Sequence, residues 1–165
     1  MDERPQRLLD QIASAFAGVE LGDGVSLHES AVIDKYGTDE ERLAARTLDE
    51  KHDWHKVIDD PELTLLFSLG YGGLCFLDAE GFRFYLPACL SRWLQDPGGR
   101  ETGNMTESLE YRLTDFSNDN LERLAILCDA QRLCVRDVFV HFRDTHERDD
   151  PKLDQAMAGY WSQGT

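Results

Sequence analysis

Glu50-Lys51-His52-Asp53-Trp54-His55 gathers two imidazoles and two carboxylates into one short run. His52 and His55 are three apart, close enough to share a helix face. His28 and Glu29 could complete a metal site if the fold brought them near. The spacing argues against it, because the glutamate-between-histidines pattern of zinc proteases is absent. A solvated helix face with Trp54 turned inward explains the same residues, and no metal or other cofactor is expected. Arg83 and Tyr85, with Asp78 nearby, form the second group. An arginine beside a tyrosine can hold a carboxylate or phosphate. Joined by His28 or His52, the two would line the pocket of a small-molecule-binding protein or hydrolase. The competing reading is an ion pair from Arg83 to a helix acid, with Tyr85 closing the core edge.

Other chemistry is weakly supported. There is no Gly-x-Ser-x-Gly elbow around a serine. Gly70-Tyr71-Gly72-Gly73 lacks the lysine and helix start of a phosphate loop, and suits a hinge better. Four cysteines, Cys75, Cys89, Cys128 and Cys134, lie among apolar neighbours without C-x-x-C spacing, as expected of reduced thiols in a cytoplasmic protein.

Charge is the strongest global signal. The 165 residues carry a net charge of -15, which repels nucleic acid and anionic membranes and attracts a basic protein. Residues 1–60 hold 15 acids against 7 basic residues and residues 101–165 hold 13 against 7, whereas 61–100 are nearly balanced at 4 against 3. The acids therefore belong to the flanks and the core to the middle. Among those acids, Asp39, Glu40, Asp49, Glu50 and Asp53 are the candidates for a partner-binding surface.

The elements that must position these residues can be drafted from periodicity. Leu8, Leu9, Ile12 and Phe16 recur at helical spacing over 5–17. Ser26-Leu27-His28-Glu29 and Thr38-Asp39-Glu40-Glu41 are capping boxes, each opening a short helix. The first of these should stop at Gly37 in the left-handed conformation. The second carries Ala44, Leu48 and Lys51 on one stripe. Residues 62–68 are apolar and ambiguous.

The densest apolar run, 74–88, is split by Asp78-Ala79-Glu80-Gly81, which suits a three-residue hairpin loop. That pairing sets Leu74, Phe76, Phe82, Phe84 and Leu86 on one face, and Cys75, Leu77, Arg83 and Tyr85 on the other. Pro87 should begin a new helix. Residues 98–106 suit a loop, and Leu109, Tyr111 and Leu113 alternate like an edge strand. A long helix with Leu133, Val138, Phe139 and Phe142 inward should follow Asp129. Asp150-Pro151 should precede an amphipathic tail carrying Tyr160 and Trp161. The N-terminus has no signal-peptide character, and no run is long enough to span a membrane.

The run from Phe76 through Asp78, Gly81-Phe82-Arg83-Phe84-Tyr85 and Leu86-Pro87-Ala88 resembles the signature of a small bacterial family of unknown function. His28-Glu29-Ser30 and Asp53-Trp54 extend the likeness, which covers about residues 8–95. The resemblance implies a bacterial cytosolic protein and no particular mechanism. In size, charge and architecture the chain is also similar to acidic α+β immunity proteins that neutralise toxins.

The expectation is one α+β domain over 1–165, with helices on a small antiparallel sheet centred on the 74–86 hairpin. Its expected role is a non-enzymatic acidic module, immunity- or antitoxin-like, that masks a basic protein. The alternative is a ligand-binding protein or hydrolase with a pocket beside the hairpin.

Overall fold

Asp78 opens a helix, and the expected hairpin does not form. In the computed structural model, which describes residues 3–61, 74–97, 103–146 and 150–163, every regular element is helical. The α+β expectation, with its sheet centred on 74–86, is therefore wrong. The Asp78 carboxylate accepts the Gly81 N–H at 2.8 Å and caps a helix over Ala79–Gln95. An Asp-x-x-Gly sequence serves a turn and a helix N-terminus equally well, since both need a side-chain acceptor for an orphan N–H. Twelve of this helix's seventeen residues are buried, from Gly81 to Leu94. A helix buried on nearly every side has no apolar stripe, so its sequence imitates a strand. Pro87, expected at a helix start, lies inside this one.

The helices in chain order are α1 (Arg4–Ala15), α2 (Leu27–Asp34), α3 (Asp39–Arg46), α4 (His55–Ile58), α5 (Ala79–Gln95), α6 (Gly103–Thr114), α7 (Asn118–Ala125), α8 (Asp129–His146) and α9 (Pro151–Ala158). A 3₁₀ turn, Tyr160–Ser162, follows. The expected edge strand at 109–113 is part of α6. Leu109 and Leu113, four apart, are buried while Tyr111 faces out, which is the helical period and not the alternating one. The ambiguous stretch 62–68 and the Gly70–Gly73 hinge lie outside the described residues, as does most of the 98–106 loop.

Helix α5 is the hub, packed by α1, α4, α6, α7 and α8. Trp93 on α5 stacks on Phe142 of α8 at 3.7 Å between ring centroids and meets Phe139 edge-on at 5.8 Å. The tail packs on the same core. Trp161 is buried and its indole N–H donates to the Leu113 carbonyl at 2.9 Å. Val138, Phe139 and Phe142 are buried as expected, and Leu133 is half-buried. The four cysteines are free, and burial pushes the Cys89 and Cys134 thiols up to about 12. Among the described residues no helix is long and apolar enough to cross a membrane.

The 21–26 loop ties α2 and α3 to this hub. Val25 N–H donates to the Asp78 carboxylate at 2.9 Å and Leu21 N–H to the Lys51 carbonyl at 2.8 Å. Gly24 and Gly81 let the loop backbone lie directly on the first turn of α5. A Cβ on Gly24 would sit 2.7 Å from the Gly81 nitrogen, and one on Gly81 would overlap the Val25 carbonyl.

Candidate functional site

Helix α2 begins as the sequence predicts. The Glu29 carboxylate turns back to accept the Ser26 N–H at 3.2 Å, and the buried Ser26 side chain faces the Glu29 N–H in return, the two halves of a capping box. The end of α2 departs from expectation. Tyr36 N–H bonds the Ile33 carbonyl at 3.0 Å and Gly37 N–H bonds the Val32 carbonyl at 2.9 Å, which is the Schellman pattern. The left-handed residue in it is Tyr36, at φ 57°, and not Gly37. Gly37 is needed for another reason: a Cβ there would collide with the Val32 side chain. Tyr36 thus takes a backbone conformation that usually selects glycine or asparagine, and its ring is 96% exposed.

Helix α3 is capped by Thr38, whose Oγ1 accepts the Glu41 N–H at 3.2 Å while Glu41 accepts the Thr38 N–H at 2.8 Å. The helix packs mainly on α2, and none of its residues is buried. Its polarity is inverted. Arg42 and Arg46, one turn apart, point inward to the buried Glu29, at 2.9 Å and 3.3 Å. Arg46 also donates to the carbonyls of Gly22 and Gly24. Glu29 therefore serves twice, as the capping acid of α2 and as the anion that holds α3. On the opposite side Glu40, Leu43, Ala44, Thr47 and Leu48 are all exposed, at the i, i+3, i+4, i+7, i+8 spacing of a single helical face. Leu43 is 65% and Leu48 70% exposed. The turns that follow α3 carry the helical path on, through Leu48 N–H to the Ala45 carbonyl and Asp49 N–H to the Arg46 carbonyl.

The five acids expected on a partner surface divide into two groups. Asp39 and Glu40 stand in solvent at the start of α3. Asp49, Glu50 and Asp53 are engaged by their own surroundings. Asp49, its side chain only 8% exposed, accepts the His28 N–H at 3.0 Å and lies 2.6 Å from His28 Nδ1. Glu50 gathers three backbone N–H groups, from His52 at 2.8 Å, Lys51 at 3.0 Å and Asp53 at 3.2 Å. The His52 amide above all, helped by those of Asp53 and Lys51, holds its carboxyl down at about 2. Asp53 accepts from His55 at 2.9 Å, and that bond depresses its carboxyl as well.

The four ligand-binding candidates do not converge. Tyr85 is buried, with its hydroxyl oxygen accepting the Leu27 N–H at 3.2 Å; burial and then the Asp49 charge push the phenol upward. That brings Tyr85 and Asp49 close to His28, all behind α3. Arg83 is half-buried, and its Nε has no partner among the described residues. His52 lies on the surface, 77% exposed, 3.5 Å from the Glu20 carboxylate. His55 stacks on Trp54, whose indole N–H donates to the Phe16 carbonyl at 3.0 Å. Among the described residues, no three metal-ligating side chains cluster.

Sequence reasoning missed Arg42, Arg46 and Tyr36. A signal for the arginines existed, since 42, 46 and 49 form one helical stripe and 43, 44, 47 and 48 another. Which stripe faced inward depended on Glu29, a neighbour on a different helix. Nothing in the sequence marked Tyr36 over Gly37 as the left-handed residue.

The chain belongs to a family of unknown function, DUF6714, whose family model matches residues 4–165. No curated protein and no solved structure matches the chain.

Proposed function

We propose that this protein is a non-enzymatic acidic protein-binding module that masks a basic protein, in the manner of an immunity protein or antitoxin. The observation that carries this reading is the inverted polarity of α3. A helix that spends its arginines on a buried glutamate and, with the turn after it, leaves Leu43 and Leu48 in water is arranged to meet another molecule. Asp39 and Glu40 at its start supply the charge, within a chain of net charge -15. Asp49, Glu50 and Asp53 stabilise the scaffold behind that face. The four free thiols agree with a cytoplasmic setting.

A second reading rests on the His28–Asp49 pair. An imidazole oriented by a carboxylate at 2.6 Å is the arrangement of a general base, as a hydrolase would need. Replacing His28 with Asn would then abolish turnover of a substrate found by screening and leave partner capture intact.

The test of the leading reading is affinity capture of the tagged protein from its native host, at low and then moderate salt, with mass spectrometry of what is retained. A basic protein enriched at low salt and released as salt rises is the expected result. Capture of no basic protein at either salt overturns the reading.

A further inference from the structure

The exposed face of α3 also restricts what kind of partner segment it can accept. We infer that it docks a basic amphipathic helix, with Leu43 and Leu48 as the apolar seat and Tyr36 as an anchor at the N-terminal end; this rests on the masking function proposed above. Four observations lead there.

The face is helical and convex. Glu40, Leu43, Ala44, Thr47 and Leu48 run along about two turns, roughly 12 Å at 1.5 Å per residue. A convex ridge of this kind has no cavity to bury a small molecule, but it fits the groove between side-chain rows of a second helix. Leu43 and Leu48, five residues apart, border this face on either side of Ala44 and Thr47, a breadth that meets an apolar stripe recurring at i, i+3 or i+4, and i+7.

The rim fixes the sign of the partner's charge. Asp34, Asp39, Glu40 and Glu41 are exposed around the α2–α3 turn, against one exposed cation, Lys35. Arg46 is withdrawn to Glu29, and Arg42, bonded to Glu29 at 2.9 Å, reaches one rim acid, Asp39, at 3.7 Å, which leaves the rim acidic. A second copy of this chain would bring the same acids against themselves, and an anionic lipid surface would be repelled. Lysine or arginine flanking an apolar stripe is what remains complementary.

Tyr36 has no structural reason to be tyrosine. Its ring, 96% exposed, contacts little, and its backbone at φ 57° would be relaxed by glycine. Large aromatic side chains on a rigid turn are the residues that most often dominate binding energy. The cap bonds of Tyr36 and Gly37 to α2 hold that turn fixed.

Lastly, α3 is held by its packing on α2 and by the bonds of its arginines to Glu29. Glu29 positions both arginines, so the face is presented as a unit.

The experiment is fluorescence anisotropy with the intact protein and a labelled leucine–lysine peptide of about 15 residues, patterned for an amphipathic helix. A scrambled isomer of equal charge is the control. The patterned peptide is expected to bind the wild-type chain about tenfold tighter than the scramble, and L43S/L48S to remove about tenfold in affinity without changing the circular dichroism melt. Tyr36→Gly should weaken binding by several-fold while the protein stays folded. Equal binding of the two peptides, or binding unchanged in L43S/L48S, overturns the inference. The masking function would survive that result if native capture still returned a salt-sensitive basic protein, insensitive to L43S/L48S. Failure to capture any basic protein would overturn both.

Discussion

Helices α3 and α5 are opposites, one mostly charged and the other mostly apolar and aromatic. On α5 almost every side chain is inside, including aromatic Phe82, Phe84, Tyr85 and Trp93. On α3 nothing is buried; Leu43, and Leu48 just past its end, face water with Asp39, Glu40 and Glu41, while Arg42 and Arg46 face protein. Helix α5 is placed by the hydrophobic effect, acting over its whole surface. Helix α3 is placed by directed bonds from two arginines to one carboxylate and two carbonyls. The two modes have different consequences. Burial fixes a helix without specifying its face, while a set of charge-assisted bonds specifies which face is left for a partner.

The sharpest way to break this contrast is by truncation. Phe84→Ala in α5 should lose about 3–5 kcal/mol in urea unfolding, because it removes a fully buried ring. Leu43→Ala in α3 should stay within about 0.5 kcal/mol, as for surface substitutions generally. Comparable losses at the two sites would mean that Leu43 is covered in solution.

A smaller effect is expected at the device that holds α3. Glu29→Gln keeps the shape but removes the charge that Arg42 and Arg46 share. A loss of about 2 kcal/mol is expected, below the usual figure for a buried pair because the arginines are partly exposed. Hydrogen exchange should quicken over residues 39–49 and stay slow in α5. Uniform acceleration across both helices would show that α3 is not an independently held unit.

Tyr36→Gly should act in the other direction. Relieving a left-handed tyrosine is expected to raise stability by about 1 kcal/mol, read as a higher midpoint at unchanged slope. A loss of stability would assign Tyr36 to the fold and remove it from the interaction face.

The smallest expected effect is in acid. The Glu50 carboxyl is lowered from 4.5 to about 2, chiefly by the His52 amide. A depressed carboxyl contributes stability that is complete above its unfolded value and lost as pH falls through its folded value. The wild-type protein should therefore weaken between about pH 4.5 and 2 more steeply than Glu50→Gln, measured by thermal melts across that range. Identical slopes would mean that the three-amide cradle does not form in solution.

Several elements were legible in the sequence because their causes are local. The two capping boxes at Ser26 and Thr38 depend on side chains reaching backbone a few residues away, and helix α1 on the period of its own apolar residues. The error at 74–86 had a physical source too. Asp78-Ala79-Glu80-Gly81 satisfies a turn and a helix cap alike, and a helix enclosed by five others loses the periodicity that would have identified it. At the candidate site the sequence exposed the acids but not their partition. Asp39 and Glu40 face water whereas Asp49, Glu50 and Asp53 fold back on donors from α2, from the turn at His52 and from the start of α4, whose relative placement a sequence does not show.

The sequence by itself determined the strongly acidic balance, the caps and the amphipathic α1, because composition and short-range hydrogen bonds need no tertiary context. Only the tertiary structure decided that Asp78 would cap a central helix, that Tyr36 would take the left-handed turn, and that Glu29 would draw Arg42 and Arg46 inward and turn Leu43 and Leu48 out. Each of those outcomes is a choice between two locally acceptable arrangements; for Asp78 and Glu29 the choice rests with partners elsewhere in the chain, Val25 and the α3 arginines, and for Tyr36 with the way the end of α2 closes on Val32 and Ile33.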